Sequence, residues 1–111
     1  MAKRKIPEGE RTVLKAGILK GLAHPVRVAI AEMLEDGELC ACDIADRFDC
    51  DRTTTSKHLA VMRELDILQD RREGQNIYYS LKMKCLVSVL KCIDGVLDKG
   101  KGCEKPRMTI E

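Results

Sequence analysis

Cys40 and Cys42, which are separated by one residue, are the side chains of this sequence best suited to chemistry. A pair of neighbouring thiolates binds soft ions such as Zn(II) and Cu(I) and, by the same softness, trivalent arsenic or antimony. Two ligands are fewer than a closed tetrahedral zinc site requires. Cys50, which is near in sequence, and Cys103, in the C-terminal tail, are the candidates for a third ligand.

All six cysteines of the 111-residue chain are expected to be free thiols. The N-terminus is basic but no apolar stretch follows it, so the sequence predicts neither a secretory signal nor a membrane anchor. We therefore expect a cytoplasmic protein in a reducing compartment, where disulfides are rare. Cys85 and Cys92 complete an apolar helical stripe, which favours a core position for both over a ligand role.

The spacing of Cys40 and Cys42 conflicts with a regular helix. Helical positions two apart point in directions that differ by about 200°, so both thiols reach one ion only if the helix start is distorted. A bound ion would then remodel the helix and whatever it supports. This conflict favours a sensor, in which ligand binding shifts the protein between two conformations.

Apolar spacing predicts a mainly α-helical chain with one small β-hairpin around these cysteines. The predicted helices cover 10–22, 25–36, 40–48, 52–65 and 84–98, and the hairpin strands are Ile67–Asp70 and Asn76–Leu81 around Gly74. A short helix, a turn, a second helix and a basic hairpin, in the order α-α-α-α-β-β-α, are typical of a winged helix-turn-helix. The wide apolar seam of the last helix indicates burial against a second subunit.

The N-terminal turn of the fourth helix has the side chains of a DNA-reading element, because this end of a recognition helix enters the major groove. The predicted contacts are Arg52, Thr53, Thr54, Thr55, Ser56, Lys57 and His58, with Arg71 and Arg72 of the hairpin on a flanking minor groove or phosphates. Asp51, Thr53 and Thr54 could instead only cap the helix. His58 could equally pack as a core histidine, and the hairpin arginines could be solvated turn charges.

The small net charge of +2 hides two segments of opposite sign. Residues 32–51 carry one basic and eight acidic residues, a net charge of −7, whereas residues 52–84 carry seven basic and four acidic residues, a net charge of +3. The basic segment suits the phosphates of duplex DNA. One Phe, two Tyr and no Trp leave little for stacking on single-stranded bases, which weighs against an RNA-binding platform.

Over roughly residues 10–98 the chain resembles the ArsR/SmtB family of bacterial and archaeal metal-sensing repressors. The resemblance is carried by His24-Pro25 with Arg27, the box from Glu38 to Ile44, the run from Thr55 to Leu59, the turn from Leu65 to Leu68, and Arg72-Glu73-Gly74 leading to Tyr78-Tyr79. The box is close to the Glu-Leu-Cys-Val-Cys-Asp-Leu form of arsenite-responsive members. The resemblance implies a homodimer, paired through its first and last helices, that leaves its operator when an inducer binds.

Two departures from the family pattern bear on the inducer. Arsenite sensors of the best-known type carry a third cysteine three residues after the second, and here that position is Ala45. The last helix, residues 84–98, contains no His, so the His and Asp pattern of zinc-sensing members is absent. A third thiol must therefore come from elsewhere, or two must suffice.

The leading hypothesis is a homodimeric repressor, not an enzyme, that needs no cofactor and releases duplex operator DNA when As(III) or Sb(III) binds Cys40 and Cys42. Other soft metal ions are alternatives. A rival of the same fold uses these thiols as a redox or persulfide switch. A thiol enzyme or metal chaperone is less favoured, because no acid, base or phosphate-binding constellation is present. The expected divisions are a basic extension at 1–9, the DNA-binding and dimerisation domain at 10–98 and a flexible Cys-containing tail at 99–111.

Overall fold

A computed structural model describes residues 8–99 as five α-helices and a three-stranded antiparallel sheet. The helices are α1 (Glu8–Leu22), α2 (Pro25–Met33), α3 (Ala41–Ala45), α4 (Arg52–Glu64) and α5 (Cys85–Lys99), and the strands are β1 (Leu39–Cys40), β2 (Leu68–Glu73) and β3 (Asn76–Leu81). A short 3₁₀ turn, Leu34–Asp36, follows α2. The winged helix-turn-helix predicted from the sequence is confirmed.

The junction of α1 and α2 is built for close packing. Gly21 is buried at the end of α1, where a Cβ atom would collide with the side chain of Leu65. His24 is extended, and its Nδ1 accepts a hydrogen bond from the backbone N–H of Val26. Pro25 occupies the first turn of α2, where its missing N–H costs no intrahelical hydrogen bond. The predicted start of α2 is therefore confirmed.

Strand β1 was not expected from the sequence, which predicted a helix from Cys40 onward. Leu39 and Cys40 instead pair with Tyr79 and Tyr78 of β3, and the sheet order is β1-β3-β2. A strand of two residues is too short to show a period-two pattern. The helix α3 begins only at Ala41, with Cys40 as its extended N-cap residue. The Cys-x-Cys pair thus spans the boundary between a strand and a helix.

The end of α4 sets the direction of the hairpin. Asp66 has a φ of 62°, its N–H donates to the carbonyl of Arg63, and the N–H of Ile67 donates to the carbonyl of Met62. These two hydrogen bonds are those of a Schellman motif. Strand β2 extends to Glu73, three residues beyond the prediction, so Arg71 and Arg72 lie within the strand and not in the turn.

The core lies between α2, α4, the sheet and one side of α5. Its fully buried members include Ile30, Ile44, Leu59, Met62, Ile67 and Leu68. Leu86 and Leu90 of α5 are buried against this core. Cys85 and Cys92 are exposed, so the expectation that both are core residues is wrong within the single subunit. They lie on α5 outside the stripe that faces the core.

Part of the apolar surface of α1 and α5 is uncovered. The large apolar side chains that remain exposed by 45–70% are Val13, Leu14, Leu19, Val89, Ile93 and Leu97. All six lie on the first and last helices, so the seam predicted for α5 is filled only in part by the subunit itself. No helix in residues 8–99 is long and apolar enough to cross a membrane.

Candidate nucleic-acid interface and thiol site

The N-terminal turn of α4 presents a polar, largely solvated surface. The carboxylate of Asp51 accepts the backbone N–H of Thr54 at 2.8 Å, which makes Asp51 the N-cap residue of the helix. Hydrogen bonds from Thr54 hold the pKa of the Asp51 carboxyl below its usual range. The exposed side chains of this turn are Arg52, Thr53, Thr54, Ser56 and Lys57. These residues are the part of the predicted DNA-contacting set that remains available to a partner.

Two members of the predicted set are buried and cannot belong to that surface. Thr55 is 1% exposed, and its hydroxyl lies 3.3 Å from both the backbone carbonyl of Asp51 and Sγ of Cys50. His58 is 8% exposed and packs against His24, with 4.4 Å between the ring centroids. The predicted contacts of Thr55 and His58 with DNA conflict with this packing, because their polar atoms are used inside the subunit.

His58 belongs to a network that ties α4 to the junction of α1 and α2. Nε of Arg27 donates to Nδ1 of His58 at 3.0 Å, and Nη1 of Arg27 donates to the carbonyl of Gly21 at 3.0 Å. Burial, followed by the charges of His24 and Arg27, lowers the pKa of His58. A neutral His58 accepts the guanidinium hydrogen bond, whereas a protonated imidazole offers no lone pair to it. The core alternative for His58 was the correct one.

The two hairpin arginines have different surroundings. The guanidinium of Arg71 forms two hydrogen-bond contacts from Nε to Glu38, at 3.1 and 3.2 Å, and an ion pair of 2.5 Å from Nη2. That hydrogen bonding lowers the pKa of the Glu38 carboxyl. A second carboxylate, Glu73, lies 3.6 Å from Arg71. Arg72 is exposed near the end of the strand. It is thus the better placed of the two to contact a phosphate.

The thiols of Cys40 and Cys42 lie close in sequence but in unlike environments. Cys40 is half-buried with an extended backbone (φ −67°, ψ 144°), and Cys42 is exposed in the first turn of α3. Cys42 also lines a cavity of about 100 Å³ together with Arg52, Thr55 and Ser56 of α4. A larger cleft of about 370 Å³ near the 3₁₀ turn has no cysteine in its lining. A ligand on Cys42 would therefore touch the start of α4.

Among the described residues, the candidate third thiol of Cys50 is not grouped with this pair. Cys50 is half-buried and its Sγ faces Thr55, while Cys103 lies outside the described residues. Within residues 8–99 no group of three or more His, Cys, Asp or Glu side chains is arranged to hold a metal ion. The donor chemistry of Cys40 and Cys42 fits a soft metalloid.

Three residues of these networks were not singled out for a role by sequence reasoning alone. Glu38, Arg27 and His24 act through partners 33, 31 and 34 positions away in sequence, so no local periodicity identifies them. The excess of acidic residues around Glu38 was visible in the sequence. That acidic excess did not indicate that one of the carboxylates pairs with an arginine of the hairpin.

Comparison with known proteins supports the reading of the fold. Residues 24–70 match the model of the family described as "Bacterial regulatory protein, arsR family". The chain is 31% identical over 83 residues to the transcriptional repressor SdpR of Bacillus subtilis, covering 75% of this chain and 92% of SdpR. It is 37% identical over 101 residues to the arsenic resistance transcriptional regulator ArsR1 of Pseudomonas putida, covering 88% of this chain and 79% of ArsR1.

A solved structure shows the same architecture. HlyU from Vibrio cholerae superposes with a TM-score of 0.69 and 27% sequence identity, over 75% of this chain and 94% of HlyU. The matched residues 24–70 run from the N-cap of α2 through α3 and α4 into β2, which are the elements that hold the polar helix surface and the cysteine pair. The chain therefore belongs to the arsR family of bacterial regulatory proteins and is a transcriptional repressor, not an enzyme.

Proposed function

We propose that this repressor binds operator DNA as a homodimer and releases it when As(III) or Sb(III) binds the thiolates of Cys40 and Cys42. The observation that carries the proposal is the position of this pair across the β1–α3 boundary, beside the N-terminus of α4. The similar Pseudomonas putida protein is an arsenic resistance transcriptional regulator, which supports the same class of inducer.

The DNA-binding face consists of one end of α4 and the wing. Exposed polar side chains of α4 enter the major groove, and Arg72 contacts a flanking phosphate or the minor groove. The set is Arg52, Thr53, Thr54, Ser56, Lys57 and Arg72. Arg71, whose guanidinium is engaged by two carboxylates, is not a direct contact in this proposal.

The homodimer explains the uncovered apolar side chains of the first and last helices. Val13 and Leu14 of α1 and Val89, Ile93 and Leu97 of α5 are each 45% or more exposed in the single subunit. Burying these side chains against a second copy removes apolar surface from water, which stabilises the pair. Two copies also present two recognition helices to two half-sites of one operator.

Inducer binding is an exchange of oxygen for sulfur ligands. Arsenous acid, As(OH)₃, loses two hydroxyl groups as water when the thiols of Cys40 and Cys42 each donate a proton and form an As–S bond. A third thiol, from Cys50 or Cys103, would replace the remaining hydroxyl in the same way. Other soft ions would bind the same sulfur atoms. Because Cys40 is held in β1 and Cys42 in α3, bringing both sulfurs onto one atom distorts the start of α3.

The test measures operator affinity with and without inducer. Duplex sites are first selected from random DNA by the wild-type protein, and binding is then followed by fluorescence anisotropy during titration with sodium arsenite or potassium antimonyl tartrate. We expect arsenite to weaken wild-type binding. Cys40→Ser and Cys42→Ser should bind DNA normally and lose the response, whereas the control Cys92→Ser should keep it.

Two outcomes would contradict the proposal. A normal arsenite response in the Cys40→Ser, Cys42→Ser double variant would show that the inducer does not act through this pair. The second outcome is wild-type operator binding that arsenite leaves unchanged but that hydrogen peroxide abolishes and dithiothreitol restores. This result would identify a thiol redox switch instead.

A further inference from the structure

The ion pair between Glu38 and Arg71 connects two separate parts of the chain. Glu38 immediately precedes β1, and Arg71 lies in β2 on the far side of the sheet, 33 residues later. Both carboxylate oxygens of Glu38 receive hydrogen bonds from Arg71, with distances of 2.5–3.2 Å. This two-pronged geometry orients both side chains and is more specific than a single surface contact.

The sheet aligns this ion pair with the cysteine pair. Tyr78 of β3 is paired with Cys40 on one side and with Arg71 on the other. Directly paired residues of neighbouring strands present their side chains on the same face of a sheet, so Cys40, Tyr78 and Arg71 form one row. Arg71 also stacks on the Tyr78 ring, with its guanidinium carbon 4.8 Å from the ring centroid. Glu38 lies two residues before Cys40, and its carboxylate contacts Arg71 at the other end of this row.

The strand that carries Cys40 is the weakest member of this row. Strand β1 contains only two residues and lies at the edge of the sheet, whereas β2 and β3 pair along six residues each. A thiol ligand that draws Cys40 towards Cys42 would therefore displace β1 more easily than the hairpin. Glu38 would move with Cys40, and the wing would then lose the carboxylate that orients Arg71.

We propose that Glu38 is a positioning residue that transmits occupancy of the cysteine pair to the wing through Arg71. In the ligand-free protein the ion pair holds β2 and Arg72 in the arrangement that binds DNA. Ligand binding at Cys40 separates Glu38 from Arg71 and lowers the affinity of the wing for the operator. The inference rests on the proposed function and adds a route from the thiols to DNA.

A pair of carboxylate variants tests this role. Glu38 and Glu73 both contact Arg71, but Glu73 belongs to β2 and moves with it. We measure operator Kd with and without sodium arsenite for the wild type, Glu38→Gln and Glu73→Gln. Glu38→Gln should reduce the arsenite-induced change in Kd by about threefold or more, a size known for residues that couple two sites. Glu73→Gln should leave that change intact.

A double-mutant cycle separates coupling from simple loss of folding. Arg71→Gln should reduce the arsenite-induced change in Kd as Glu38→Gln does. The double variant should lose no more of that change than either single variant. Additive losses in the double variant, or a full arsenite response in Glu38→Gln, would overturn the positioning role. In either case an arsenite response of the wild type would still support the proposed function. Wild-type binding that arsenite leaves unchanged would overturn the proposed function and the positioning role together.

Discussion

Thr55 and Ser56, adjacent residues at the start of α4, have opposite environments, although the sequence alone predicts the same role for both. Thr55 is 1% exposed and its hydroxyl contacts Asp51 and Cys50, whereas Ser56 is exposed. The helical rotation of about 100° per residue turns one side chain inward and the next outward. A substitution at each position therefore reports a different property of the protein.

We expect Thr55→Ala to lower the free energy of unfolding by about 1–3 kcal/mol, because a buried hydroxyl and methyl group are lost. Ser56→Ala should leave stability within about 0.5 kcal/mol and weaken operator binding by about 1–3 kcal/mol. Urea unfolding and anisotropy titration of the selected operator measure the two effects. Unchanged stability in Thr55→Ala, or unchanged DNA affinity in Ser56→Ala, would contradict this division.

The histidine network makes stability depend on pH. Because the pKa of His58 is lowered in the folded state, the unfolded chain binds that proton more readily. The contribution of His58 is present above its ordinary pKa of about 6.5 and is lost as pH falls through the lower folded-state pKa. We expect the free energy of unfolding to fall between pH 7 and pH 5, and this slope to be smaller in His58→Gln. A free energy of unfolding that increases as the pH is lowered from 7 to 5 would contradict this expectation.

At the scale of elements, the proposed DNA contact depends on how the start of α4 is folded. Asp51 satisfies the N–H of Thr54 and its negative charge complements the helix dipole at that end. The exposed residues that follow can reach a groove only if the first turn of the helix is formed. Loss of the cap should therefore affect both stability and DNA binding.

Asp51→Ala should lower Tm by about 5 °C and weaken operator binding, because the first turn of α4 frays without its cap. Asp51→Asn keeps an acceptor oxygen and should retain most of both properties. Asp49→Ala, at an exposed carboxylate two residues earlier, is the control for loss of negative charge. Thermal unfolding by circular dichroism and anisotropy titration report the results. If Asp49→Ala and Asp51→Ala lowered Tm and operator affinity equally, the cause would be the lost negative charge and not the lost N-cap.

At the scale of the whole molecule, the single subunit leaves apolar side chains of α1 and α5 uncovered. Their exposed fractions, 51% for Leu14 and 49% for Ile93, contrast with 5% for Leu86 and 8% for Leu90 on the side of α5 that faces the core. A carboxylate placed at such a position cannot be buried at a dimer contact without a large desolvation cost, while it is harmless in water.

Leu14→Glu and Ile93→Glu should each convert the homodimer to a monomer and weaken operator binding, since one subunit contacts one half-site. Light scattering coupled to size-exclusion chromatography measures the mass, and circular dichroism checks that the helices remain. Gln75→Glu, in the exposed hairpin turn, is the charge-matched control. A wild-type protein that is monomeric at micromolar concentration, or variants that remain dimeric, would refute this interface.

Much of the fold follows from local patterns in the sequence. Apolar spacing located the five helices, Pro25 and Asp51 marked two helix starts, and Gly74 marked the hairpin turn. These features are readable because helix periodicity, capping and turn chemistry depend on residues within about one turn of one another. The Cys-x-Cys pair and the polar start of α4 were readable for the same reason.

Only the tertiary structure decided how those side chains are used. The burial of Thr55 and His58, the strand at Leu39–Cys40 and the ion pair of Glu38 with Arg71 arise from contacts between segments distant in sequence. Burial and pairing depend on which element packs opposite a residue, and no local pattern contains that information. Composition and spacing thus determined a thiol-bearing DNA-binding domain, whereas packing determined which polar residues are exposed and which hold the domain together.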